Sequence, residues 1–571
     1  MSDTPHAFLE EYRGKAFSGE WPSIPALFRI NAERFPARKA FTALDPEPLS
    51  FTYGESAARM DGIAIALRNA GVKRGDKVAL TGKNSPEWAL SYLGILAAGA
   101  TVVPIDYQLR KDEVDNLVRA SDARGAIVDE EKFDELDAAK LGLSFKWSLS
   151  PSKPGYVLDI GPMAGAKLED PAASELAAIL FTSGTTGQPK GVMLSHENLV
   201  ADCFLAQANL KISENDVFYA LLPIHHSYTM LAVFIESLSV GAETVFGKRM
   251  VTKQILKELR EAKITMFLGV PLLFNKVLAG IMKGVRAKGP IAYGLIRGLM
   301  GISGFIKKLT GRNPGKRIFH SVLEKASLST IRICISGGGP LAPSVFRRYN
   351  QLGIDFIQGY GLTETSPILT LNPKERYKET SVGKLIPGVQ MRILDPDERG
   401  VGEIAVKGPM VMKGYYKNAA ATAEVFTADG WFMTGDVGYL DQDNYLYLTG
   451  RAKNLIVTEG GKNVYPEEIE NCFQLFEEVE QVLVRGFDAA GPDKREGIEA
   501  LIYPSKDYFS ALAEKAGHEI GAQEIQAAIG DVIAKVNATL LPYQRIERTT
   551  ILDEPLEMTT TKKIKRHSIG A

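Results

Sequence analysis

A chain of 571 residues has room for roughly two to four structural units at about 150 residues each. Its 45% apolar and 24% charged residues are the balance of an ordinary globular protein, which excludes a disordered or largely membrane-embedded chain. With 67 basic against 68 acidic residues the formal charge is -1, so overall electrostatics gives no reason to expect nucleic-acid binding.

The N-terminus carries Asp3, Glu10 and Glu11 and lacks the basic start and apolar run of a signal peptide. Short apolar runs then alternate with helix-like stretches. Lys77 to Leu80, Ala126 to Val128, Ala177 to Phe181 and Ile331 to Ile335 read as buried, largely parallel strands of an α/β layered domain. The uncharged stretch Trp88 to Ile105 is broken by Gly94, Gly99 and Pro104, which predicts a buried helix followed by a buried strand instead of a membrane span. Cys203, Cys334 and Cys472 are scattered without a CxxC pair. That spacing argues against a disulfide framework or a thiolate zinc site and fits a reducing cytoplasm.

From about Gly383 to Leu448 the texture changes to short strands and glycine turns, as in Val389 to Leu394 and Gly402 to Lys407. After Lys453 a compact α+β pattern begins. Pro466 opens a helix carrying Ile469, Cys472, Phe473 and Phe476, a strand spans Val479 to Val484, and a second helix carries Ile525, Ile529, Val532, Ile533 and Val536. The expected architecture is an α/β N-terminal domain over 1–452, with a β-rich subdomain at 383–448, and a small mobile α+β domain over 453–571.

The run Phe181-Thr-Ser-Gly-Thr-Thr-Gly-Gln-Pro-Lys-Gly191 gathers three glycines, four hydroxyls and a lysine after an apolar strand. Backbone N–H groups that can approach closely, hydroxyl donors and the Lys190 charge make a polyphosphate cradle. Lys190 is followed by Gly191, so this is not a Walker loop. Val192 to Leu194 reads as a strand, and the loop should join two strands.

This loop resembles the signature of the adenylate-forming superfamily of acyl-CoA synthetases, luciferases and peptide-synthetase adenylation domains. Further blocks follow in that family's order: Gln358-Gly-Tyr-Gly-Leu-Thr-Glu-Thr365, Gly430-Trp-Phe-Met-Thr-Gly-Asp436, and Gly450-Arg451 with Pro466 to Glu470. The basic, threonine-rich Met558-Thr-Thr-Thr-Lys-Lys-Ile-Lys-Arg566 is similar to the corresponding segment of bacterial long-chain fatty acyl-CoA synthetases.

The resemblance implies roles. Thr182, Ser183, Gly184, Thr185, Thr186, Gly187 and Lys190 would hold ATP phosphates, and Glu364 with Thr182 a Mg2+ ion. Tyr360 would stack on adenine beside Gly359, Gly361, Thr363, Gly338 and Gly339. Asp436 would accept from the ribose hydroxyls, with Arg451 assisting. His226, in Leu222-Pro-Ile-His-His-Ser-Tyr228, would orient the acid, although adjacent His225 competes for that role. Lys563 would be the adenylation lysine, with Lys562 in reserve. Lys453 would be a hinge that swings the small domain between two half-reactions, while Gly460, Gly461 and Lys462 line a thiol channel. Tyr228 and Met230 are placed near the acyl entrance.

Between Ala262 and Leu323 there is no acidic residue, while Lys283, Arg286, Lys288, Arg297, Lys307, Lys308, Arg312, Lys316 and Arg317 interleave with Ile291, Leu295, Ile296, Leu299, Met300, Ile302, Phe305 and Ile306. Residues 283–317 could thus lie on the inner face of a membrane; a solvated helical hairpin is the alternative. The implied activity is a fatty acid-CoA ligase using ATP, Mg2+ and coenzyme A. Transfer to carrier-protein phosphopantetheine, arrest at the acyl-AMP, or a non-catalytic nucleotide or acyl sensor are the other readings.

Overall fold

A computed structural model describes residues 7–163, 168–182, 189–248, 250–458, 462–489, 495–558 and 564–566. Two sheets layer the larger part of the chain. The first has six strands in the order Phe145–Ser148, Ala123–Val128, Lys77–Thr81, Thr101–Ile105, Leu176–Thr182, Lys190–Ser195. All its pairings are parallel except the last, an antiparallel hairpin. The second has thirteen strands and runs from Gln390–Leu394 at one edge to Leu49–Thr52 at the other.

In the large sheet Ile333–Ser336 lies parallel between Met266–Gly269 and Asp355–Gly361. Ile368–Leu371 then returns antiparallel to Asp355–Gly361, and every pairing beyond it is antiparallel. The β-rich segment therefore does not close a sheet of its own. Its strands Gly383–Leu385, Gln390–Leu394, Gly402–Lys407, Phe432–Leu440 and Tyr445–Arg451 continue the large one.

Ser85 caps helix Pro86–Ala97 by accepting the Trp88 N–H at 3.2 Å. Every residue of this helix is buried, as an element apolar on all sides requires. Its core includes Val78 and Val102 from the six-stranded sheet and Phe41, Met266 and Ile333 from the thirteen-stranded one, so it lies between the layers. Full burial of Leu90, Leu93, Ile95 and Leu96 stabilises the stack by roughly 1.5–3 kcal/mol for each. Among the described residues no helix is long and apolar enough to cross a membrane.

Side chains alternate along the large sheet's strands. Ile333 and Ile335 join the inter-sheet core, whereas Cys334, Phe267 and Phe356 face a second core with helices Pro271–Arg286, Pro290–Thr310 and Pro343–Leu352. This corrects part of the basic surface read from the sequence. Lys307 sits on the inner side of Pro290–Thr310, 2% exposed, with Nζ 2.6 Å from both Asn350 Oδ1 and Asp355 Oδ1. Lys316 is half-buried and donates to the Ile331 carbonyl at 3.0 Å.

After the short turn Ala452–Asn454, strands Val479–Ala489, Arg495–Pro504 and Arg548–Ile551 form a separate three-stranded sheet. Helix Ala522–Asn537 supplies Ile529, Val532 and Val536 to a core shared with Ile456, Val464, Ile469, Val484 and Ile498. The helix opened by Pro466 is shorter than its apolar spacing suggested and ends at Asn471. The Cys472 and Phe473 N–H groups bond three residues back, to Ile469 and Glu470, which tightens the last turn. Phe473 still reaches the core.

Candidate active site

Leu176–Thr182 and Lys190–Ser195 pair with Thr182 opposite Lys190, and the Thr182 hydroxyl donates to the Lys190 carbonyl at 3.4 Å. The glycine-rich run therefore joins two strands; Ser183, Gly184, Thr185, Thr186 and Gly187 lie outside the described residues. Residues 413–416 add to the hairpin's free edge. Met193 donates to the Gly414 carbonyl at 3.0 Å and Tyr416 to the Gly191 carbonyl at 2.7 Å. That pairing sets Tyr415 between two of the sequence-derived residues. Lys190 Nζ lies 5.0 Å from its ring centre, and its hydroxyl donates to Glu364 Oε1 at 3.0 Å. Burial, then the Glu364 charge, holds the Tyr415 hydroxyl above its ordinary pKa, so it remains a donor.

The motif around Glu364 leaves the C-terminal end of a parallel strand, where open α/β sheets place their ligands. Ser336 pairs with Gln358, so Gly337–Gly339 and Gly359–Gly361 emerge side by side. A Cβ on Gly361 would collide with the Pro367 carbonyl, and one on Gly337 would meet the Tyr228 ring at 2.9 Å. Packing within the protein is thus sufficient reason for both. Gly338, Gly339, Gly359 and Gly361 line the same cavity, of about 4090 Å³, as Thr182, Lys190, Tyr360, Thr363, Glu364, Asp436, Arg451 and Lys453.

Asp436 and Arg451 are cross-strand partners. Arg451 Nε lies 2.8 Å from Asp436 Oδ1, and the Tyr360 hydroxyl donates to Oδ2 at 2.7 Å. Burial, then the Asp436 charge, pushes the Tyr360 pKa well up. A carboxylate offers about four lone-pair sites, and both oxygens of Asp436 are engaged here, one by Arg451 and the other by Tyr360. Burial, then the neighbouring charges of Arg451 and Arg566, pulls the Lys453 pKa down.

His226 precedes the short helix Ser227–Thr229. Ser227 and Thr363 share a hydroxyl hydrogen bond of 3.1 Å, joining this segment to the Glu364 motif. His225 is the more buried of the pair, with Nε2 3.5 Å from Asp106 Oδ1. One carboxylate oxygen of Asp106 and one ring nitrogen each of His225 and His226 lie within 4.8 Å of one another. Tyr228 lines the cavity and donates to the Ile335 carbonyl at 3.1 Å. Met230 does not line it: it is fully buried and accepts from the Tyr92 hydroxyl at 3.5 Å, because it points into the inter-sheet core.

Lys562 and Lys563, like Gly460 and Gly461, lie outside the described residues. Their neighbours are placed. Met558 and Ile564 form a β-bridge and both line the cavity, with Arg566 and Glu470. Arg566 Nη2 lies 2.5 Å from Glu470 Oε1, and Nη1 donates to the Val484 carbonyl at 2.9 Å.

The sequence profile of one family, described as AMP-binding enzyme, matches residues 28–416. The chain belongs to the AMP-binding enzyme family. A chloroplastic long-chain-fatty-acid acyl-carrier-protein ligase of Arabidopsis thaliana is 29% identical, covering 97% of this chain and 86% of the relative. A long-chain-fatty-acid CoA ligase of Mycobacterium tuberculosis is 29% identical, covering 91% and 90%. Among solved structures, ATP-bound MatB from Rhodopseudomonas palustris superimposes with a TM-score of 0.73 at 27% identity, covering 96% of this chain and 98% of that one.

The AMP-binding profile ends at residue 416, one residue past Tyr415, which the motif reading passed over along with Asp106. Two signals were available: the aromatic pair after Gly414, and an aspartate immediately following the buried parallel strand Thr101–Ile105. Membership also raises the question of a metal. Thr182 and Glu364 offer only oxygen, the donor set of a hard cation such as Mg2+, and Glu364 spends one lone pair on Tyr415. Thr182 and Glu364 would be the residues to hold such an ion, which would supply neutralisation of phosphate charge there.

Proposed function

We propose that this AMP-binding enzyme joins a medium- or long-chain fatty acid to coenzyme A through an acyl-AMP. In the first half-reaction the acid's carboxylate oxygen attacks the α-phosphorus of ATP, and the bond to the β-phosphate oxygen breaks to release pyrophosphate. In the second the CoA sulfur attacks the acyl carbon, the acyl–phosphate C–O bond breaks, AMP leaves and the thiol proton passes to solvent. The observation that carries this reading is the chain Lys190, Tyr415, Glu364 beside Asp436 and Arg451 in one cavity.

In this reading Lys190 and the glycine-rich loop neutralise the phosphates, Mg2+ sits at Glu364 and Thr182, and Asp436 holds the ribose. Tyr360 covers the adenine, and His226 orients the acid with His225 and Asp106 behind it. Lys563 contributes its charge to adenylation and is withdrawn when residues beyond 453 rotate about Lys453. A peripheral membrane contact within residues 283–317 belongs to the same reading.

The assay is AMP release from acids ranging from acetate to palmitate and benzoate, with and without CoA. Palmitate-dependent, CoA-dependent release is the expected result; no acid-dependent pyrophosphate exchange overturns the reading in favour of a sensor. The name of the Arabidopsis relative favours a second acceptor, a carrier protein's phosphopantetheine. Thioester formation with holo-carrier but not CoA would select it.

A further inference from the structure

Helix Pro290–Thr310 has two apolar faces. Its inner one, with Met300 buried and Ile296 and Leu299 partly so, packs in the core beneath the large sheet. Its outer one carries Ile291, Leu295, Ile302, Phe305 and Leu309, exposed by 88, 65, 57, 68 and 73%. At 100° per residue these five fall within about 80° of arc. Single exposed apolar residues need no explanation, but an aligned row of five marks an interaction surface.

Charge identifies the partner. No Asp or Glu occurs between Ala262 and Leu323, while Lys283, Arg286, Lys288, Arg297, Lys308, Arg312 and Arg317 are all exposed. Arg286 and Arg297 flank the Tyr293 ring at 5.2 and 5.9 Å. A second copy laid on this face would set cations against cations. An anionic headgroup layer would neutralise them and leave its acyl boundary to the isoleucines, leucines and phenylalanine. The paired helix Pro271–Arg286 begins with Pro271 and Leu272, which line the cavity, and Leu272 is 54% exposed.

We infer that the outer face of Pro290–Thr310 docks in the plane of an anionic lipid bilayer, setting the cavity beside the phase into which a long-chain acid partitions. This rests on the fatty-acid reading for its purpose, while the docking itself can be measured without it. Lys307 and Lys316 take no part, since both are turned inward.

The full chain should co-sediment with phosphatidylcholine vesicles containing phosphatidylglycerol, less with phosphatidylcholine alone, and be partly released by salt. The triple change Ile302→Ser, Phe305→Ser, Leu309→Ser should lower the partition coefficient at least about tenfold with an unchanged Tm and unchanged pyrophosphate release on a short, water-soluble acid. A parent that stays in the supernatant, or a variant that pellets equally, overturns the inference. So does a parental dimer that the variant splits while neither form binds vesicles, which would assign the face to a second copy. Vesicle binding by a parent that activates no acid leaves the docking standing and removes the ligase reading.

Discussion

The Tyr415 hydroxyl donates to Glu364 Oε1 at 3.0 Å while its ring lies 5.0 Å from Lys190 Nζ, so one aromatic side chain couples the phosphate-loop lysine to the proposed metal-binding carboxylate. Removing only the hydroxyl separates the two contacts. A hydrogen bond to a charged acceptor contributes about 1.5–3 kcal/mol, so Tyr415→Phe should slow pyrophosphate release about 10- to 100-fold and raise the Mg2+ requirement. A Phe variant with parental kinetics would reduce Tyr415 to a packing residue.

Asp436 holds Tyr360 and Arg451 through separate oxygens. Asp436→Asn removes the ion pair and one acceptor, and should raise the KM for ATP about 10- to 100-fold. Tyr360→Phe leaves the carboxylate in place and should cost less. Initial rates against ATP for both variants check the order; the reverse order contradicts ribose binding at Asp436.

Glu236 is buried, accepts from the Cys203 thiol at 2.8 Å, and is pushed up by burial from 4.5 to about 7. The folded chain therefore binds this proton more tightly than the unfolded one. Its contribution to stability is complete below pH 4.5 and is lost as pH rises through about 7. Glu236→Gln removes that loss. Relative to the parent, the variant should gain on the order of 3 kcal/mol between about pH 5 and pH 8, read by urea unfolding. Parallel pH profiles for the two proteins would refute the shift.

Lys307 and Lys308 are neighbours in sequence with opposite surroundings, one buried against Asp355 and Asn350, the other exposed. Lys307→Ala leaves the partly buried Asp355 with Asn313 and Lys374 alone and should cost about 1–3 kcal/mol, whereas Lys308→Ala should change stability by less than about 0.5 kcal/mol. Denaturant midpoints for the two single variants are the measurement.

Lys563→Ala should abolish acyl-AMP formation yet leave thioester synthesis from supplied acyl-AMP largely intact. Parallel assays of the two half-reactions check it, and equal loss in both would reject the rotation about Lys453.

The parts of the fold that sequence revealed are those written locally. The hairpin of Leu176–Thr182 and Lys190–Ser195, the buried run through Ile105 and the apolar face of Ala522–Asn537 each follow from periodicity and punctuation within one segment. Tyr415 reaches Lys190 and Glu364 only through edge pairing with strand Lys190–Ser195, a contact between distant segments with no local pattern. Lys307 shows the same limit: its partners Asn350 and Asp355 lie more than forty residues on, so composition alone grouped it with solvent-facing cations. The long antiparallel extension of the large sheet was legible as strands but not as a continuation, because pairing order is set by Ile368–Leu371 bridging the two halves.

Residues 411–416 touch both layers. Their backbone bonds to Lys190–Ser195 of the six-stranded sheet, and Met412 donates to the Glu364 carbonyl, beside the thirteen-stranded one, at 2.8 Å. The inter-sheet core carries the cohesion of the layers, and this short strap adds to it while it ties the two sides of the phosphate grip together.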